Sequence, residues 1–78
     1  MAILNATAAW QSAGTLASQE IFQNVSGGVL RLATGAEPTD PDDGIELTQG
    51  SGVLISSGLE VWYRRGGPAP VKLTRTVV

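Results

Sequence analysis

Between Gly44 and Val61 the chain reads Gly-Ile-Glu-Leu-Thr-Gln-Gly-Ser-Gly-Val-Leu-Ile-Ser-Ser-Gly-Leu-Glu-Val. Short apolar runs alternate there with glycine, and none is long enough to sustain a helix. Such a stretch reads as successive antiparallel strands joined by tight turns. An acidic loop leads into it and a basic pair of strands follows it. The stretch itself carries no chemistry. It reads as scaffold between two working surfaces.

The same punctuation organises the rest of the chain. Residues 19–25 form a strand with Phe22 and Asn24 on one face and Ile21, Gln23 and Val25 on the other. Ser26-Gly27-Gly28 is a turn between two apolar runs, so a hairpin is expected there. In the run 29–34, Leu30 and Leu32 share the expected core face, opposite Val29, Arg31 and Ala33. Residues 35–44, with Pro38 and Pro41, form a true loop, since proline lacks an amide donor and fixes φ. Strands are expected at 45–48 and 53–56. A further strand at 59–65 places Leu59, Val61 and Tyr63 opposite Glu60, Trp62 and Arg64. The closing run 71–78 alternates cleanly, except that Arg75 falls on its apolar face.

Residues 1–18 are rich in Ala, Ser and Thr. They read as an extended N-terminal arm anchored by Trp10, with a possible strand start at Ile3 and Leu4. A single β-domain then occupies 19–78. The expected fold is all-β, a small antiparallel β-sandwich or barrel of six to seven short strands. Two readings of Trp10 stay open: packing on its own domain, or docking on a neighbouring subunit.

Size and composition bound the function. A chain of 78 residues makes a small core, and it has neither cysteine nor histidine. Disulfide and thiolate-metal staples are therefore excluded, and self-association is the expected remaining support. His-based and Cys-based nucleophilic catalysis is excluded with them. The remaining carboxylates lie mostly on one loop, so an enzyme is not expected and no catalytic residue is assigned. No cofactor is expected. A net charge of −2 argues against a nucleic-acid partner. No apolar run is long enough to cross a bilayer, and the opening residues do not read as a signal peptide. Asn5-Ala6-Thr7 and Asn24-Val25-Ser26 match the N-glycosylation pattern and read as chance matches.

Charge is unevenly distributed. Five of the seven acids (Glu37, Asp40, Asp42, Asp43, Glu46) lie within ten positions, and four of the five bases (Arg64, Arg65, Lys72, Arg75) lie in the last fifteen. The acidic loop fails the EF-hand spacing, and no metal ligand set is assigned; a solvated or partner-facing loop is expected, with a non-EF cation site at Asp40, Asp42, Asp43 and Glu46 as the open alternative. Trp62 and Arg64 share a strand face, where they could stack on a sugar ring or pack at an interface. The acidic loop of one subunit could also face the basic strand of the next.

The succession Trp10, Ile-Phe-Gln-Asn-Val-Ser-Gly-Gly (21–28), Ala-Thr-Gly-Ala-Glu-Pro (33–38), Ile-Glu-Leu-x-x-Gly-x-Gly (45–52) and Gly-Leu-Glu-Val-Trp-Tyr-Arg (58–64) resembles small virion proteins of tailed bacteriophages. These are capsid decoration proteins, head-fibre bases and tail accessory domains. The resemblance covers roughly positions 10–78. It implies an all-β fold, a homo-oligomer that is often a trimer, and docking on a major capsid or other virion protein. It also implies localisation in the virion, assembled in the host cytoplasm, with no membrane partner. The expected function is a non-enzymatic decoration or accessory protein that stabilises a shell from outside. The alternative is a carbohydrate- or receptor-binding module using Trp62, Tyr63 and Arg64. Interface positions on these readings are Ile3, Leu4, Trp10, Asp40, Asp42, Asp43, Trp62, Arg64 and Arg65.

Overall fold

The computed structural model describes residues 2–78. Eight strands run in the order β1 (Ala2–Ala6), β2 (Gln11–Thr15), β3 (Glu20–Asn24), β4 (Leu30–Thr34), β5 (Ile45–Leu47), β6 (Gly52–Ile55), β7 (Glu60–Arg65) and β8 (Val71–Val77). They form two four-stranded antiparallel sheets, β1-β8-β3-β6 and β2-β7-β4-β5. The inner faces of both sheets contribute to one core. The all-β expectation holds, with eight strands in place of six or seven.

β1 and β2 both lie in the segment expected as an arm; β1 contains the strand start expected at Ile3 and Leu4, and β2 was not expected. β1 pairs with β8 from Ala2 opposite Arg75 to Ala6 opposite Val71. β2 pairs with β7, with a register shift between Ser12 and Gly14 where Gly14 takes a positive φ. The Ala-, Ser- and Gly-rich composition has weak strand propensity by itself. The ladders offered by β7 and β8 satisfy its backbone and so fix it as strand.

The hairpin expected at Ser26–Gly28 is also corrected. β3 and β4 lie in different sheets, and the turn carries the chain across the sandwich. Among the described residues, β4 and β5 are the only consecutive strands that pair. The crossing turn is held by Asn24, which is fully buried. Its Nδ2 donates to the carbonyls of Gly28 (2.7 Å) and Leu47 (2.9 Å), and its Oδ1 accepts from the Ser26 amide (3.0 Å) and hydroxyl (2.9 Å). One side chain thus ties β3, the crossing turn and β5 together. A Cβ on Gly28 would lie 2.8 Å from Val71 Cγ2 and 3.0 Å from the Pro70 carbonyl oxygen, so the turn can pack there only as glycine. Burial of Asn24 and the engagement of its amide also remove it as a glycosylation acceptor.

Strand alternation fills the core as read. Phe22, Leu30, Leu32, Val61, Val71 and Leu73 are buried to 2% exposure or less. Each contributes about 1.5–3 kcal/mol of transfer free energy. Arg75, the exception on β8, does face inward. It sits opposite Phe22 in register, with its guanidinium carbon 5.5 Å from the ring centroid. Its Nε and Nη2 donate to the two carboxylate oxygens of Glu20 at 2.9 and 2.8 Å, and its Nη1 donates to the Ala13 carbonyl at 2.9 Å. This bidentate pair bridges the first sheet to β2. Hydrogen bonding from Arg75 holds the Glu20 carboxyl below its ordinary value; burial opposes this, and the guanidinium charge reinforces it.

Candidate functional site

Most of the residues singled out from sequence gather on the outer face of the second sheet, Ile3 lies on the outer face of the first, and Leu4 faces the core. On the outer face of the second sheet, β7 presents Trp62 and Arg64, and β4 sets Ala33 and Arg31 directly beside them. Loop 35–44 is tied down over this face at three points. Trp62 Nε1 donates to the Gly35 carbonyl (3.0 Å), Trp10 Nε1 to the Asp40 carbonyl (3.1 Å), and Arg31 Nη1 to the Asp42 carbonyl (3.1 Å). Three donors from the sheet side therefore meet three carbonyls spaced along the loop, which makes it a strap.

The acidic side chains brace the strap from within. Asp40 Oδ1 accepts from the Asp42 amide (2.8 Å), and Asp43 Oδ2 accepts from the Asp40 amide (3.2 Å). Gly44 closes the strap at positive φ, where a Cβ would collide with the Leu32 carbonyl oxygen. Among the described residues, no three acidic side chains converge as a metal-holding group.

Arg31 and Arg64 are direct cross-strand neighbours, a like-charge pairing that is unfavourable alone. Each finds a separate partner. Arg31 Nη2 lies 3.5 Å from Glu46 Oε2. Arg64 lies over Trp10, its guanidinium carbon 5.9 Å from the ring centroid, and donates from Nε to the Arg65 carbonyl at 3.2 Å. Both tryptophans are half-buried. Trp10 thus packs on its own chain, under the strap. Tyr63 points inward and is buried, so it does not share a face with Trp62 and Arg64. Arg65 ends β7 opposite the buried Leu30 and is half-buried, its amide donating to the Thr7 carbonyl.

Ile3 and Leu4 lie elsewhere. Leu4 faces inward and packs against the core, while Ile3 is exposed on the outer face of the first sheet. Register places Ile3 opposite Thr74, Thr74 opposite Gln23, and Ile21 between Thr76 and Leu54. Ile3, Ile21, Val25 and Leu54 are 62, 42, 45 and 53% exposed. Lys72 is the one charged side chain at the outward strand positions of this face.

Four participants were missed from sequence as site residues: Arg31 under the strap, and Ile21, Val25 and Leu54 on the apolar face. The phase of β3 does put Ile21 and Val25 opposite Phe22, and the phase of β4 puts Arg31 opposite the core leucines. Those phases were the available signal. No protein-family model, curated protein or solved structure matches the chain.

Proposed function

We propose that this chain is a non-enzymatic structural protein of a tailed-bacteriophage virion, a decoration or accessory protein that adheres to the outside of the shell. The observation that carries the reading is the outer face of the first sheet. It is nearly free of charge and presents four exposed aliphatic side chains, whereas patches of this kind mark interaction surfaces. Adhesion needs apolar surface to bury and few charges to desolvate, and this face supplies both. The partner is a major capsid or other virion protein, and assembly proceeds through a homo-oligomer, with a trimer as the expectation from the resemblance.

The carbohydrate- or receptor-binding alternative draws less support. Its aromatic groups already have partners: each indole N–H is bonded to the strap, and Arg64 covers the Trp10 ring. The adhesion reading is tested with Ile3→Glu combined with Ile21→Glu. Both side chains are solvent-exposed, so thermal stability should move little. Binding to purified shells of the cognate phage should fall by at least about tenfold, since two carboxylates would have to be desolvated. Undiminished binding by the folded double variant contradicts this reading.

A further inference from the structure

We infer that the β5–β6 side of the sandwich is a strand-acceptor site for an extended, basic segment of another protein. On this side each sheet ends in a short strand: β6 has four residues and β5 has three. Between them lies a cleft of about 580 Å³ lined by Leu32, Ile45, Val53, Ile55 and Leu59. Ile45, Leu54 and Leu59 are exposed.

The free edge of β6 runs beside this cleft. The Asn24 amide donates to the Ser51 carbonyl at 3.0 Å, which fixes the alternation of the β3–β6 ladder. Val53 and Ile55 then exchange bonds with β3, while Gly52 and Leu54 direct their amides and carbonyls outward. Among the described residues, nothing pairs with that edge. An added strand would satisfy these groups and drop alternate side chains into the cleft, the mode known as β-augmentation.

Charge identifies the occupant. Asp43 is the one ionisable group lining the cleft, and no cation lines it; Glu46, one residue beyond Ile45, is turned to the outer face and paired with Arg31. The cations without an ion pair among the described residues, Arg64, Arg65 and Lys72, belong to β7 and β8. A second copy of this chain cannot set a cationic strand against Asp43. Its cationic strands β4, β7 and β8 are interior and paired on both sides. Its free edges are β1 and β2, which carry no charge, β5, which carries Glu46, and β6, which carries none. Two-fold pairing of β6 with β6 would set no cation against Asp43, because β6 carries none. The occupant is therefore a strand from a different chain, apolar at alternate positions and flanked by Lys or Arg. This inference does not depend on the virion reading.

The test uses blocked short peptides of alternating valine and threonine, flanked by lysine or by glutamate, titrated into isotopically labelled protein. The lysine-flanked peptide should shift the backbone amides of Gly52, Leu54, Ile45 and Leu59 and bind at least about tenfold more tightly than the glutamate-flanked one. Methylating alternate peptide nitrogens on the pairing side should abolish binding, and Asp43→Asn should narrow the lysine preference. Equal binding of both peptides, or shifts confined to another face, overturns the inference. Concentration-dependent broadening at Leu54 in protein alone also overturns it, because that would make a second copy the occupant.

Discussion

Replacing Asn24 with alanine should destabilise the domain by about 3–4 kcal/mol, because it strands two carbonyls and two Ser26 donors in or near the core. A domain of this size holds only about 4–12 kcal/mol in total. The variant should therefore be largely unfolded in mild denaturant where the parent is native. Asn24→Asp is a sharper control. It keeps the acceptor for Ser26 but replaces the donor to Gly28 and Leu47 with a buried carboxylate, and should be no better tolerated. Equilibrium urea unfolding followed by circular dichroism measures both. A loss under about 1 kcal/mol for Asn24→Ala would mean that the crossing turn is held by packing alone. The consequence reaches function, since Asn24 anchors β5 and hence one wall of the cleft.

The second large effect concerns Glu20, which is 6% exposed. Glu20→Ala leaves the Arg75 guanidinium inside the sandwich without its carboxylate and should cost about 3 kcal/mol. Replacing both residues with methionine should recover most of that loss, because a packed apolar pair needs no charge compensation. Recovery should be incomplete, since the Ala13 carbonyl loses its donor. The pair also gives stability a pH dependence. The folded state holds the Glu20 carboxyl below its ordinary value of 4.5, so the unfolded chain takes up the proton first. The contribution is full above pH 4.5 and is lost as pH falls through the lower, folded value. The stability difference between parent and Glu20→Gln should be largest near neutrality and shrink in acid. A constant difference across that range contradicts the assignment.

The sequence made these two features partly visible. Glu20 is the single charge in the first thirty residues, and Arg75 is the single break in the apolar phase of β8. Each was conspicuous, but their pairing across 55 positions was not readable from local pattern. The phases of β3, β4, β7 and β8 were legible because alternation is local. The assignment of strands to sheets was not. Almost every connection crosses the sandwich, so β1 meets β8, from the opposite end of the chain. Residues 2–6 and 11–15 are strands only because those distant partners exist.

The strap illustrates the same limit at the candidate site. Pro38, Pro41 and the aspartates announced a loop, and composition alone pointed to a solvated or partner-facing one. What holds it to the sheet is a set of side-chain donors reaching backbone carbonyls. Trp62 reaches 27 positions to Gly35, and Trp10 reaches 30 to Asp40. Backbone carbonyls carry no residue signature, so such bonds leave no trace in a sequence. The complementarity expected between an acidic loop and a basic strand of neighbouring subunits has a counterpart within one chain, through Arg31, which has the outward phase on β4.

The central claim, that this is a structural component of a virion, is tested most directly by quantitative mass spectrometry of purified phage particles. The account predicts the intact chain in particles that survive density-gradient purification, at a copy number that is a fixed multiple of a shell or tail protein. Its absence from such particles, in cells where the chain is made abundantly, would contradict the account.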